Sequence, residues 1–144
     1  MSSARQFDGK IAIVTGSTQG LGEAAARLFA ERGAAGIVIT GRNAERGEAV
    51  AASLNDASCR ALFIRADMTS VDDCRALVAT TDEAFGTVHV LVNSAGSTAR
   101  GSILNTTPDV YDRIMAVNVR APFFLMQATA KIMLRDGVAG SMAV

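Results

Sequence analysis

Short apolar runs rich in β-branched residues alternate along this chain with longer amphipathic runs, and no other feature constrains the fold as much. Residues 11–15, 36–40, 61–66 and 88–93 each have the length and composition of a strand. The first, second and fourth are nearly continuous apolar runs, as strands buried on both faces of a parallel sheet require. Leu21, Ala25, Leu28 and Phe29 share one face of an intervening helix that Gly33 ends. Asn43 can cap a second helix, with Val50 and Leu54 facing inward. Ser70 and Asp73 have the form of a capping box. Val71, Cys74, Leu77, Val78 and Thr81 then make one stripe, and Phe85-Gly86 closes that helix. Thr107-Pro108-Asp109 starts another: a cap, proline at the first position, and an acid near the positive end. This helix is expected to run to about Arg135 through Pro122, and residues 140–144 begin a fifth strand. Strict alternation of strand and helix predicts an α/β, doubly wound parallel sheet with helices on both faces and right-handed crossovers.

Hydrophobic residues make up 49% of the 144, enough for a core in one domain over residues 1–144. Fourteen bases balance fourteen acids, so electrostatics gives no reason to expect nucleic acid or a membrane surface as partner. No apolar stretch approaches the roughly 20 residues that span a bilayer. The first apolar run ends at Thr15-Gly16, too short for a secretory core, so the cytoplasm is the expected location. Cys59 and Cys74 lack metal-ligand or redox spacing and are expected to be buried thiols, with no metal site. His89, between two valines, is expected to be a tolerated strand residue rather than a ligand or base.

Between the first strand and first helix stands Thr15-Gly16-Ser17-Thr18-Gln19-Gly20-Leu21-Gly22. Glycine supplies positive φ without steric cost and removes side chains where a pyrophosphate would approach. Helix N–H groups opening at Gly20 would face that anion, and Gly22 would let the helix pack closely. An ordinary glycine-rich turn has a similar composition, but its place between an apolar strand and an amphipathic helix favours a dinucleotide site and a Rossmann-like fold. Gly16, Ser17, Thr18, Gln19, Gly20, Leu21 and Gly22 are therefore candidate cofactor-binding residues.

The T-G-x-x-x-G-x-G spacing differs from G-x-G-x-x-G and resembles the short-chain dehydrogenase/reductase family, classical type. Asn93-Ser94-Ala95-Gly96, at the end of strand four, is similar to that family's N-N-A-G with serine second. Asn118, within Met115-Ala116-Val117-Asn118-Val119, supplies a third resemblance. The likeness extends along essentially the whole chain and matches the N-terminal portion of such a protein. It implies an oxidoreductase that interconverts a carbonyl and an alcohol on a small molecule by hydride transfer.

The resemblance implies a nicotinamide cofactor, and Thr40-Gly41-Arg42 bears on which one. NAD-dependent members carry an acid where Gly41 stands. Arg42 can hold a 2′-phosphate by charge-assisted hydrogen bonds worth about 1.5–3 kcal/mol, on the order of ten- to a hundred-fold. NADP(H) is therefore expected over NAD(H), although Gln19 occupies a place where many NADP-binding members are basic, and Arg42 could instead be a solvated loop residue. The family likeness gives Asp67 and Met68 the adenine and lays Asn93, Ala95 and Gly96 along the cofactor. It makes Asn118 a catalytic residue whose backbone carbonyl anchors a water in a proton relay. Pro122 supports this locally, because proline offers no N–H to that carbonyl.

Family members also use a Ser, a Tyr and a Lys. The only tyrosine here is Tyr111, and Met115 stands four residues on, so Tyr-x-x-x-Lys is absent. Ser141 begins the fifth strand and is not expected to be the catalytic serine. The chain is expected to be truncated at about strand five, with Ser, Tyr and Lys outside it. Phe123, Phe124, Leu125, Met126, Ile132, Met133 and Leu134 leave little polar surface on the last helix, so a homo-oligomer through it is expected. A non-catalytic NADP(H)-binding module and an inactive fragment are the competing expectations.

Overall fold

The computed structural model describes residues 5–144. Its elements alternate as β1 (Ile11–Val14), α1 (Gly20–Glu31), β2 (Gly36–Gly41), α2 (Ala44–Leu54), β3 (Arg60–Arg65), α3 (Val71–Phe85) and β4 (Val90–Val92). There follow α4 (Pro108–Met115), a π-helical turn (Ala116–Arg120), α5 (Ala121–Asp136) and β5 (Ser141–Ala143). All strand pairs are parallel, in the order β3-β2-β1-β4-β5. This is the expected Rossmann-like α/β sheet.

Period-two geometry sends alternate residues of each strand to opposite layers. Ile13 lies in register with Val38 and Leu91, and all three pack with Leu77, Val78 and Leu125 of α3 and α5. Val14 and Ile39, also in register, pack with Ala26 of α1 and Val50 of α2. β1 is buried throughout, whereas all three residues of β5 are exposed. Both cysteines are free and buried, and desolvation pushes the Cys74 thiol up to about 11. Among the described residues no helix is long and apolar enough to cross a membrane.

Four local expectations change. In α1 the buried residues are Gly22 and Ala26, while Leu21 and Leu28 are 82% and 45% exposed. The helix approaches the sheet through its smallest residues, which turns the contact line away from Leu21 and Leu28. The helix expected to run through Pro122, with a kink there, is divided by a π turn directly before that proline, where the Ala121 N–H reaches the Ala116 carbonyl. A proline ring crowds the preceding turn and removes a donor, and widening that turn relieves both.

The capping box is half formed. Ser70 Oγ accepts from the Asp73 N–H at 3.1 Å, but the Asp73 carboxylate accepts from the Asp67 N–H at 2.9 Å. That carboxylate ties the end of β3 to α3. His89 precedes β4 rather than lying in it, and its Nδ1 accepts from the Ile11 N–H at 3.0 Å. It is thus a specific latch between β1 and the approach to β4, not merely a tolerated residue.

Candidate functional site

The sheet order reverses between β1 and β4: from β1 the chain proceeds outward to β2, and from β4 it proceeds the other way to β5. Loops leaving the two strands must diverge there, which opens a crevice at their C-terminal ends. An open cavity of about 760 Å³ occupies this place. Gly16, Thr18, Gln19, Gly20, Leu21 and Gly22 line it from the first loop.

Gly16 and Gly20 both have φ of +61°, so the chain takes one left-handed step within the loop and another at the first residue of α1. A Cβ on Gly16 would stand 2.8 Å from the Ala95 Cα, and one on Gly22 would collide with the Gly16 carbonyl oxygen. Gly22 therefore lets the helix close on the loop's own backbone. Asn43, Ser70 and Thr107 cap α2, α3 and α4 with side-chain oxygens, but Gln19 makes no such bond at α1. The first N–H groups of α1 are left for another acceptor, at the positive end of the helix dipole.

Two buried hydroxyls hold the loop. Ser17 Oγ donates to the Val14 carbonyl at 2.6 Å and accepts from the Thr40 N–H at 3.0 Å. The Ser17 side chain thus braces β1 against β2 and does not line the cavity. Thr15 Oγ1 accepts from the N–H groups of Ser94 and Ala95 at 3.1 and 3.0 Å, joining the glycine loop to the segment after β4. The sequence pattern had marked Thr15 only as a neighbour of Gly16. Its position at the end of a wholly apolar strand, where a hydroxyl must find a partner, was the available signal.

At the end of β2, a Cβ on Gly41 would come 2.7 Å from Thr18 Cγ2, so glycine there also permits close packing of the loop. Arg42 and Asn43 line the cavity beyond it. Asp67 Oδ1 accepts from the Thr69 N–H and Oγ1, both at 2.8 Å. Those bonds hold its carboxyl below the usual range, with Arg42 and Arg113 adding to the effect. Met68 lines the cavity while packing in the α3–α5 core.

On the other wall stand Ala95 and Gly96. Asn93 does not line the cavity; its backbone N–H and Nδ2 both donate to the Ala143 carbonyl, at 2.9 and 3.1 Å. Its Oδ1 is buried without a partner. Asn118 Oδ1 accepts from the Ser97 N–H at 2.7 Å, and Nδ2 donates to the Ser97 carbonyl at 3.0 Å. Its side chain therefore clamps the loop after Gly96, a role that the sequence did not announce. Arg46, Ala66, Thr69, Ser94, Ser97, Arg113 and Val117 complete the lining; Ser94 and Val117 stand inside sequence motifs without a role of their own, and the others in none. Arg46 carried a signal nonetheless, a base in the first turn of a helix.

The profile of the short chain dehydrogenase family matches residues 10–143. The chain is 36% identical over 143 residues to "(-)-isopiperitenol/(-)-carveol dehydrogenase, mitochondrial" of Mentha piperita, covering 98% of this chain and 53% of that protein. It is 36% identical over 135 residues to sorbitol dehydrogenase of Cereibacter sphaeroides, covering 94% and 51%. The chain spans about half the length of these curated relatives. Among solved structures, a metagenomic short-chain oxidoreductase in complex with NADP superposes with a TM-score of 0.86 at 32% identity, covering 94% of this chain and 60% of that one. A short chain dehydrogenase from Burkholderia cenocepacia J2315, also in complex with NADP, gives 0.84 at 39% identity, covering 89% and 52%.

Proposed function

Because the chain belongs to the short-chain dehydrogenase family, we propose that it is the nucleotide-binding portion of an NADP(H)-dependent oxidoreductase that interconverts a carbonyl and an alcohol. One observation carries the site: α1 alone among α1 to α4 begins without a side-chain cap, with left-handed glycines before it and at its first residue, and beside an open cavity. Backbone N–H groups at such a terminus suit a diphosphate. The place a Cβ of Gly20 would take is open space, which leaves its approach clear, while the missing Cβ of Gly16 lets the loop pack on Ala95. NADP complexes of two structural neighbours support the choice of nucleotide.

When bound, the nucleotide supplies or accepts the hydride. The chain's own residues hold and orient it. Gly16, Thr18, Gln19, Gly20, Leu21 and Gly22 form the diphosphate cradle, with Ser17 bracing it from behind. Gly41 and Arg42 receive the 2′-phosphate. Asp67, kept ionised by Thr69, accepts from the adenine amino group, and Met68 flanks the ring. Ala95 and Gly96 border the nicotinamide side, and Asn93 secures their strand end to β5. Asn118 acts twice: its side chain fixes Ser97, and its carbonyl, denied a donor by Pro122, holds a relay water. The serine, tyrosine and lysine of this chemistry follow Asn118 in the proposed enzyme. No Tyr-x-x-x-Lys occurs in these 144 residues.

A second reading is a module that binds NADP(H) without catalysis. Turnover of carbonyl substrates by this chain would exclude it. The first reading takes a small-molecule substrate, the cytoplasm as location, and a homo-oligomer through Phe123 and Phe124 of the last helix, which with Met115 and Val119 line a mostly apolar groove across α4, the π turn and α5 edged by Asp112, Arg113 and Arg120. Fluorescence titration tests the cofactor. NADPH should bind saturably, and Arg42→Ala should weaken it on the order of ten- to a hundred-fold while changing NADH little. No saturable NADPH binding to the parent chain would overturn the reading.

A further inference from the structure

Arg46 contradicts the electrostatics of its own helix. It lies in the first turn of α2, where the dipole disfavours a cation and where Glu45 is the better-suited neighbour. Among the described residues its guanidinium is not paired with a carboxylate. Instead Nη1 donates to Gln19 Oε1 at 2.8 Å. A neutral amide aims the guanidinium without cancelling its charge, and the remaining N–H groups stay available. Gln19 is the residue before α1, so this bond draws Arg46 from α2 back toward the glycine loop.

Arg42 and Arg46 line the same cavity as Asn43 and Gln19. Asn43 Oδ1 is occupied by the Arg46 N–H at 2.9 Å, so it does not neutralise either base. Asp67, the carboxylate lining this cavity, is bonded through Oδ1 to Thr69 and acts electrostatically on Arg42 and Arg113, which leaves Arg46 as the base of the lining whose charge no carboxylate offsets among the described residues. Two arginines, one just after β2 and one in the first turn of α2, therefore stand on the lining of one cavity. One charge would suffice for a monoanion; two suit a phosphate monoester carrying nearly two charges at neutral pH.

We infer that Arg46 is a second anchor for the nucleotide's 2′-phosphate and that Gln19 is its positioning residue. The inference rests on the NADP(H) reading above and adds a specificity determinant to it. Arg42 approaches from the end of β2 and Arg46 from the helix that follows, so the phosphate is gripped from two elements. Guanidinium geometry matters here, because Arg46 must bond Gln19 and the phosphate at once; a lysine ammonium lacks that planar fork.

Calorimetric titration of the 144-residue chain with adenosine 2′,5′-bisphosphate and with 5′-AMP isolates the 2′-phosphate. Arg46→Ala should weaken the bisphosphate about tenfold, the lower range for a charge-assisted bond on an open rim, and shift 5′-AMP less than about twofold. Arg46→Lys should recover part of the loss. Gln19→Ala should weaken the bisphosphate by a smaller factor in the same direction. Circular dichroism on each variant confirms that the fold persists. If Arg42→Ala removes the discrimination while Arg46→Ala leaves it intact, this inference fails and the cofactor reading stands. If neither variant alters discrimination, or the parent chain binds neither ligand, both fail. An unchanged Gln19→Ala would overturn the positioning role.

Discussion

The two walls of the cavity are built on unequal foundations. The glycine loop leaves β1, which is buried along its length between β2 and β4 and covered by helices on both faces. Ser17 and Thr15 brace that wall with buried hydroxyls, and Gly16 and Gly22 sit against backbone. The wall formed by Ala95 and Gly96 leaves β4, a three-residue strand whose outer neighbour β5 is exposed throughout. It relies on Thr15, on the Asn93 bonds to Ala143, and on the Asn118 clamp at Ser97. The phosphate-binding wall is thus part of the core, whereas the opposite wall is tethered to it.

Hydrogen exchange should reveal this contrast with the largest amplitude. Amides in β1 and β2 should exchange only through global unfolding, and those of β5 through local opening. A separation of several kcal/mol, about a thousandfold or more in protection, is expected. Equal protection in β2 and β5 would break the comparison.

A matched pair of glycine substitutions sharpens it. The Cβ of Gly22→Ala must displace the Gly16 carbonyl, so about 1–3 kcal/mol of stability and most nucleotide affinity should be lost. On the opposite wall, the Cβ of Gly96→Ala would sit 3.6 Å from Asn118 Oδ1, an ordinary contact, so urea midpoints should move by less than about 0.5 kcal/mol.

The tethers can be cut singly. Thr15→Val leaves the Ser94 and Ala95 N–H groups without their acceptor and should cost about 1–3 kcal/mol in urea denaturation. Asn118→Ala removes two bonds at a more exposed place and should cost about 1 kcal/mol. A larger loss for Asn118→Ala than for Thr15→Val would reverse the ranking of these two tethers.

The smallest effect is a pH dependence at the junction of β1 and β4. Burial holds the His89 imidazole below its ordinary value of 6.5, Lys10 adds to this, and Asp136 opposes it. The unfolded chain therefore takes up that proton more readily than the folded one. The His89 contribution is complete above the ordinary value and is lost as pH falls through the folded one, when a protonated Nδ1 can no longer accept from Ile11. Urea midpoints between pH 7.5 and 5.5 should fall for the parent chain and fall less for His89→Asn. An identical pH dependence in the two would remove His89 from the account.

Some positions misled a reading by periodicity for reasons specific to this packing. Leu21 and Leu28 have helical spacing, yet α1 is drawn onto the loop by Gly22 and Ala26, so the large residues flank the contact. Asp73 looked like a helix-capping partner of Ser70, but a neighbouring strand end offered its carboxylate a closer N–H. Ser17 and Asn93 were marked for the cofactor with their motifs, and both side chains instead bond to backbone outside the cavity.

The sequence by itself determined the alternating parallel architecture with helices on both faces and the glycine-rich turn after the first strand. These follow from side-chain periodicity and from the steric needs of single backbone positions, which neighbours a few residues apart express completely. Only the tertiary structure decided that Arg46 meets Gln19 across 27 positions, Asn118 meets Ser97 across 21, and Thr15 meets Ala95 across 80. Crossover paths and the approach of each helix to the sheet bring those groups together, and a hydrogen bond a few ångströms long depends on both.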